Sequence, residues 1–170
     1  QGRSDLLIFH FIISSFLIII FVYDLKHYII PDKIIYPAIG VALIFDFLNL
    51  LRSNIPGISD LLTSSFLLSA LGAAAFFFLI VLISRGKWMG AGDIKLAFLM
   101  GLFLGWPNIV VALLSAIFLG ALMGIGLIIS GKKTLKSEVP FGPFLAIGTF
   151  LALFWGEKII NFYLNLLPSF

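Results

Sequence analysis

Six runs of apolar residues, separated by short charged or Pro/Gly-containing turns, constrain the fold of this 170-residue chain more than any other feature. Crossing the hydrocarbon layer of a bilayer takes about 20 residues of helix. Inside lipid each backbone N–H and C=O must be paired within its own segment, which requires a helix. Charged residues make up only 11% of the chain, whereas soluble domains carry about a quarter. The sequence therefore predicts an all-α, polytopic integral membrane protein with about six transmembrane helices.

The boundaries of these helices follow from charged residues, prolines and glycines. The fourth run is much shorter than the others, so it either begins within the preceding glycine-rich turn or forms a re-entrant segment. The stretch from Lys158 to Phe170 mixes polar and apolar residues, and it either extends the last helix or lies at the interface. The predicted spans are Leu6–Tyr23, Ile34–Leu51, Leu61–Ser84, Ile94–Gly105, Ile109–Ser130 and Phe141–Trp155.

The distribution of Lys and Arg predicts the orientation, because cytosolic loops carry the excess of these residues. Three positive residues lie on the side reached by the even-numbered spans: Arg3, Arg52 and Lys158. The other eight lie in the loops that follow odd-numbered spans: Lys26, Lys33, Arg85, Lys87, Lys95, Lys132, Lys133 and Lys136. The loops after odd-numbered spans are therefore predicted to face the cytosol, with both termini outside. A re-entrant fourth span would change this assignment.

Several kinds of active site are disfavoured by composition. The chain has no cysteine, which excludes disulfides, thiolate metal sites and cysteine nucleophiles. Its two histidines are far apart in the sequence, since His10 lies in the first span and His27 in the first loop, so no metal site is predicted. The serines within the spans lack an evident partner base and are assigned to helix packing.

Two acidic residues lie where apolar helices are predicted to meet water on the cytosolic side. Asp24 directly follows the first span, and Asp93 ends a Gly90-Ala91-Gly92-Asp93 turn before the fourth. Each has a structural explanation by itself: Asp24 as the polar end of a helix, and Asp93 as a helix cap after a tight glycine turn.

Together these two acids also suggest catalysis. Two carboxylates held close together cannot both ionise easily, so one keeps a proton while the other is charged. Such a pair can activate water and protonate a leaving amine. Two rigid turns lie on the same side, at Ile29-Ile30-Pro31-Asp32 and at Pro140-Phe141-Gly142-Pro143.

These motifs resemble the type IV prepilin leader peptidases, which are membrane aspartic peptidases with a GxGD motif. The resemblance covers Asp24 followed by IPD at 30–32, GAGDIKL at 90–96 and PFGPFLAIG at 140–148. It implies that Asp24 and Asp93 are the catalytic pair, with water as nucleophile and no metal or other cofactor for proteolysis. Residues expected to support the site are Gly90, Gly92, Lys95, Pro31, Asp32, Pro140 and Gly142.

The resemblance also implies substrates and a location. The expected substrates are prepilins and pseudopilins of type IV pili and type II secretion, which have a short basic leader ending in glycine and then a hydrophobic helix. Asp32 and Glu138 are acids available to bind such a leader. The expected surroundings are lipid of a prokaryotic plasma (inner) membrane, with the aspartates at its cytosolic face, and no nucleic-acid partner is expected.

The chain departs from many bacterial members in one respect. Those members carry an additional N-terminal part with a Cys-rich cytosolic insert, and they also methylate the new N-terminus with S-adenosylmethionine. Residues 1–170 are therefore expected to form a single transmembrane peptidase domain without that region. Proteolysis is predicted and methyl transfer is not.

Two alternatives remain from the sequence alone. Presenilin-like intramembrane proteases also combine a Tyr-Asp pair with GxGD, but they place their aspartates well within the bilayer and add a Pro-Ala-Leu motif. A small transporter or an assembly factor is the non-enzymatic alternative. Asp46 is the one acid deep within a predicted span, with Asn49 nearby as a possible hydrogen-bonding partner.

Overall fold

A computed structural model describes residues 2–52, 65–86, 89–130 and 140–166. These residues form six helices and, within the described ranges, no strand, which confirms the all-α prediction. The helices are α1 Gly2–His27, α2 Asp32–Arg52, α3 Ser65–Ser84, α4 Ala91–Leu104, α5 Asn108–Ile129 and α6 Gly142–Leu166. Each predicted span corresponds to one of them, except that the predicted start of the third span at Leu61 lies outside the described residues.

Five of these helices, all but α4, are long and apolar enough to cross a membrane. Several extend beyond the apolar run that predicted them, because polar residues can continue a helix once it reaches the headgroup region. Thus α1 continues past Tyr23 to His27, and α6 continues to Leu166. The polar residues after Trp155 therefore extend the last helix through Leu166.

Helix α4 is short and central. Its 14 residues give a length of about 21 Å at 1.5 Å per residue, which is less than the roughly 30 Å of a bilayer core. Of the two alternatives left open by the sequence, the helix follows the first, since it begins within the glycine-rich turn, at Ala91. Nine of its 14 residues are buried, because α2, α3, α5 and α6 all pack against it. A helix shielded by protein in this way does not need to reach both membrane surfaces.

Small residues allow the most extensive helix contacts, which are those of α3 with α4 and of α5 with α6. A Cβ atom on Gly101 of α4 would overlap the backbone of Ala70 in α3. Similarly, a Cβ atom on Gly148 of α6 would overlap the carbonyl oxygen of Ala112 in α5. These contacts are typical of membrane helices, where close backbone approach replaces the hydrophobic driving force available in water.

The end of α1 and the beginnings of α2, α4 and α6 meet at one end of the bundle. The end of α1 contacts the beginning of α6 through Asp24 and Gly142, and the beginning of α2 contacts that of α4 through Asp32 and Lys95. At the opposite end, an ion pair of 2.9 Å joins Arg52 Nη1 to Asp5 Oδ2. Both candidate aspartates therefore lie at the same end of the bundle, while Lys87, Lys132, Lys133 and Lys136 of the predicted cytosolic loops lie outside the described residues.

Candidate active site

Asp24 lies in the last turn of α1, not beyond the helix as the apolar run alone suggests. Its carbonyl oxygen accepts a hydrogen bond of 2.8 Å from the Tyr28 N–H, and the left-handed backbone of Tyr28 (φ 59°) follows the helix end at His27. Because α1 continues for one turn, the Asp24 side chain points into the bundle and is only 4% exposed.

The Asp24 carboxylate lies against the first residue of α6. The backbone N–H of Gly142 donates a hydrogen bond to it, and a Cβ atom on Gly142 would be only 2.5 Å from Asp24 Oδ2. Any residue other than glycine would therefore displace the carboxylate. The beginning of a helix also carries partial positive charge, which stabilises a nearby anion.

Asp93 is the third residue of α4 and is 8% exposed. Its Oδ2 atom accepts a hydrogen bond of 3.3 Å from the Gly90 N–H, while its own N–H donates to the Gly90 carbonyl at 3.2 Å. The structural explanation given above for Asp93 is therefore correct, because it does cap α4. Capping does not exclude a chemical role, since the carboxylate is also buried next to another acid.

Burial and the neighbouring charge of Asp24 raise the pKa of Asp93 from its ordinary value of 3.8 to about 7, against the smaller effect of the Gly90 hydrogen bond. Burial is the larger cause, because a desolvated carboxylate is less stable than its protonated form. A negative charge on Asp24 disfavours a second negative charge on Asp93, and this adds to the effect of burial. At neutral pH this pair can therefore hold one proton between its two carboxyl groups.

The side chain of Ile30 packs between the two glycines that flank the acids. A Cβ atom on Gly92 would be 3.0 Å from Ile30 Cβ, and one on Gly142 would be 3.4 Å from Ile30 Cδ1. Ile30 is 7% exposed and is followed by Pro31, whose carbonyl accepts hydrogen bonds from Ile34 and Ile35 as α2 begins. The turn after α1 thus supplies an apolar wall for both acids.

An ion pair joins α2 to α4 beside this wall. Lys95 Nζ lies 2.5 Å from Asp32 Oδ1 and 4.8 Å from the centroid of the Tyr36 ring. The hydrogen bond that Lys95 donates to Asp32 raises the pKa of Lys95, so Lys95 remains an ammonium ion. Because Asp32 is neutralised by Lys95, it is not a free anion for a basic leader. Glu138, the other acid considered for that role, lies outside the described residues.

The turn before α6 holds the other side of the site. The Phe141 carbonyl accepts hydrogen bonds of 3.0 and 3.2 Å from the N–H groups of Phe144 and Leu145, which begins the helix immediately after Pro140. The Phe141 ring lies 6.0 Å from that of Phe77 in α3. Pro140 and Gly142 are therefore part of a turn that packs against α3, the helix that precedes α4 in the chain.

All of the predicted site residues lie at this end of the bundle. The two acids have the contacts described above, and the supporting residues occupy the turns that surround them: Gly90, Gly92, Lys95, Pro31, Asp32, Pro140 and Gly142. Ile30 and Phe141 lie within the motifs described from the sequence but were not among the predicted supporting residues, and Tyr36 was not predicted at all. Tyr36 was recognisable from its position four residues after Asp32 on the same helix face, but the other two depend on tertiary contacts.

Other acids in the described helices are not part of this site. Asp46 lies in the second half of α2, and its Oδ2 atom is buried without a hydrogen-bonding partner, so the contact with Asn49 considered above does not satisfy that atom. Within the described ranges no group of three or more His, Asp or Glu side chains lies together as a metal site requires.

Comparison with known proteins identifies the family. Residues 11–125, which include both candidate aspartates, match the type IV leader peptidase family. No solved structure matches the chain.

Three curated relatives carry the name prepilin leader peptidase/N-methyltransferase. The protein from Bacillus subtilis (strain 168) is 36% identical over 155 residues, covering 89% of this chain and 57% of the relative. The protein from Aeromonas salmonicida (strain A449) is 33% identical over 142 residues, covering 84% and 47%. The protein from Legionella pneumophila is 32% identical over 164 residues, covering 96% and 55%.

The chain spans about half the length of the curated relatives it matches. None of these matches supports the presenilin-like or transporter alternatives. Because the family match covers most of the chain and includes the motifs around both acids, this chain belongs to the type IV leader peptidase family.

Proposed function

We propose that this chain is an aspartic endopeptidase that removes the short basic leader from type IV prepilins and pseudopilins. The observation that carries the proposal is the pair of buried carboxyl groups, Asp24 and Asp93, interacting at one end of a membrane bundle in a leader peptidase family member. The names of the relatives support the class of substrate.

In the proposed mechanism Asp24 is the base and Asp93 the acid. The Gly142 N–H donates a hydrogen bond to Asp24 at the beginning of α6, which stabilises the carboxylate form of Asp24 against the desolvation caused by burial. The pKa of Asp93 is raised to about 7, so a large fraction of Asp93 is protonated at neutral pH. Such a division of roles between two neighbouring carboxyls is what general acid–base catalysis requires.

The reaction is a hydrolysis with water as the nucleophile. Asp24 accepts a proton from the water as its oxygen forms a bond to the scissile carbonyl carbon, and Asp93 protonates the carbonyl oxygen. Collapse of the tetrahedral intermediate breaks the C–N bond, and the proton on Asp24 passes to the leaving amine. The proton of the collapsing hydroxyl returns to Asp93. The products are a leader with a new carboxyl terminus and a pilin with a free amino terminus, and no metal or other cofactor enters the mechanism.

The proposal includes an orientation in a prokaryotic plasma membrane, with the acids at the cytosolic face and the pilin helix remaining in lipid. In the described residues, the positive charges Lys26, Lys33, Arg85 and Lys95 lie at the end of the bundle that holds the acids. Cytosolic ends of membrane proteins carry such an excess. The proposal is limited to proteolysis and includes neither methyl transfer nor a nucleic-acid partner.

Cleavage of a model prepilin tests the proposal. The chain is incorporated into lipid vesicles with a prepilin that retains its leader and helix, and the products are identified by mass spectrometry. The parent is expected to cut once, after the leader glycine, while Asp24→Asn and Asp93→Asn abolish cutting. Asp46→Asn is the matched control. It removes a carboxyl from the second half of α2, away from the end that holds Asp24 and Asp93, and it should leave cleavage unchanged. An inert parent, or cleavage by both active-site variants, would contradict the proposal.

A further inference from the structure

We infer that Lys95 is a positioning residue, held by Asp32 above the Tyr36 ring, and that this clamp fixes the first turn of α4 so that Asp93 faces Asp24. The inference rests on the proposed function, since it assigns a role in the same reaction to residues that do not contact the reacting atoms. Through this clamp, the segment after α1 also helps to fix the position of Asp93.

The clamp joins two helices that are distant in the sequence. Asp32 is the first residue of α2 and Lys95 the fifth of α4, with their charged atoms 2.5 Å apart. Tyr36 lies one turn after Asp32, so both partners of the ammonium ion come from the same face of α2. Its ring centroid lies 4.8 Å from Lys95 Nζ, within the distance of a cation–π interaction.

Other described contacts of the first turn of α4 are local or apolar. Asp93 is held locally by a long hydrogen bond of 3.3 Å from Gly90, and Gly92 contributes no side chain. A further contact is Ile30, whose Cβ lies against Gly92. Ile30 lies in the turn after α1 and Asp32 is the first residue of α2, so one short segment that begins four residues after Asp24 holds the position of Asp93 relative to Asp24.

We expect the clamp to fix the position of the first turn of α4 and to contribute little to the stability of the whole bundle. Asp32 and Lys95 are 59% and 29% exposed, and ion pairs of this kind contribute little to global stability because water screens them. Their removal should therefore leave the bundle intact while allowing the first turn of α4 to shift. A shift of about 1 Å near reacting groups can reduce a rate by about 100-fold.

A different role for these residues is binding of the basic leader. Asp32 is already paired with Lys95, so the two together carry no net charge to attract a basic peptide. The two roles differ in kinetics: loss of a binding contact raises KM, whereas displacement of a catalytic group lowers kcat. This difference makes the inference testable.

The test measures kcat and KM for prepilin cleavage with Asp32→Asn, Lys95→Met and the double variant. We expect each single change to lower kcat by about 10- to 100-fold, with KM changed by less than about threefold. The double variant should be no slower than the slower single variant, because breaking one contact twice adds nothing. Lys95→Arg, which retains the charge and the contact with Tyr36, should retain most of the activity.

Lys33→Met is the matched control, since it removes the same charge from the residue next to Asp32, and it should not change kcat. Melting temperatures of all variants should equal that of the parent. An unchanged kcat in Lys95→Met, a rise in KM alone, or independent multiplication of the two single effects would overturn the inference. If the parent cleaves and Asp93→Asn is inactive, such a result removes the clamp but not the proposed function. An inert parent removes both.

Discussion

At the scale of single residues, the burial of Asp93 links the structure to the pH range in which the enzyme should work. Its pKa is raised to about 7 by desolvation first and by the charge of Asp24 second. A raised pKa means that Asp93 holds its proton below pH 7 and loses it above. If Asp93 is the acid, the fraction of enzyme in the active form must therefore fall as the pH rises through 7.

The pH dependence of kcat/KM tests this directly. We expect the rate to decline with a midpoint of about 7 and then to fall about tenfold for each further pH unit. Enzyme held at pH 8.5 and returned to pH 6.5 should recover full activity, which separates titration from unfolding. A rate that remains constant up to pH 9 would show that Asp93 does not act through its protonated form.

Gly142 provides a second prediction at this scale. In Gly142→Ala the new Cβ would lie 2.5 Å from Asp24 Oδ2, so the carboxylate must move. Because displacement by about 1 Å can cost about 100-fold in rate, we expect kcat/KM to fall by at least tenfold, with an unchanged melting temperature. The control is Gly124→Ala in α5, where nothing lies within 4 Å of the new atom. Equal activity in the two variants would contradict the proposed position of Asp24.

The two acids were predictable from the sequence because each interrupts an apolar pattern at the edge of a helix. The side chains around them were less predictable. Ile30 belongs to the IPD motif at 30–32, but its contacts with Gly92 and Gly142 follow only from the tertiary structure. The ion pair of Asp32 and Lys95 spans 63 residues, so it follows only from the arrangement of α2 beside α4.

At the scale of the elements, a glycine in α4 allows this helix to lie very close to α3. Gly101 lies so close to Ala70 that a Cβ atom would overlap its backbone. The number and type of helices could be predicted from apolar runs, since a bilayer requires long, internally bonded segments. Their close contacts could not, because glycines such as Gly72 and Gly101 look alike in sequence while only Gly101 faces another helix.

Replacement of these two glycines tests the packing of α3 against α4. Gly101→Ala should force the helices apart and cost about 1–3 kcal/mol, as expected for overpacking. This loss should appear as a lower melting temperature in detergent. Gly72→Ala, with nothing within 4 Å of the new atom, should be neutral or slightly stabilising because alanine favours helix. A melting temperature for Gly101→Ala as high as that for Gly72→Ala would contradict the close contact.

At the scale of the whole molecule, the bundle separates the end that holds Asp24 and Asp93, the proposed catalytic end, from the end that carries the Asp5–Arg52 pair. Counting Lys and Arg along the sequence predicts which end faces the cytosol, and four of the residues counted on that side, Lys26, Lys33, Arg85 and Lys95, lie in the described part of the chain at the end that holds Asp24 and Asp93. The short fourth helix does not disturb that count, because its first residues lie beside Asp32 at the catalytic end and its last residues run away from it. Burial of α4 among four neighbours explains how a helix of this length fits the bundle.

Labelling of introduced cysteines tests the orientation, and the absence of native cysteine makes the assay free of background. Lys33→Cys lies at the catalytic end and Lys158→Cys in the second half of α6, and both side chains are exposed. A membrane-impermeant maleimide should label Lys158→Cys in intact cells, and Lys33→Cys only after permeabilisation of the plasma membrane. The reverse pattern would place the acids on the outer side and contradict the proposed access to a cytosolic leader.

The most direct measurement of the central claim is the residual cleavage rate of Asp24→Asn/Asp93→Asn beside the rates of the two single variants. If the two carboxyls act as one acid–base pair, either single change destroys the pair. The double variant should then be no slower than the singles, and all three should fall to the same background rate. A double variant that is slower than both singles, by the product of their separate effects, would show two independent groups and contradict the account.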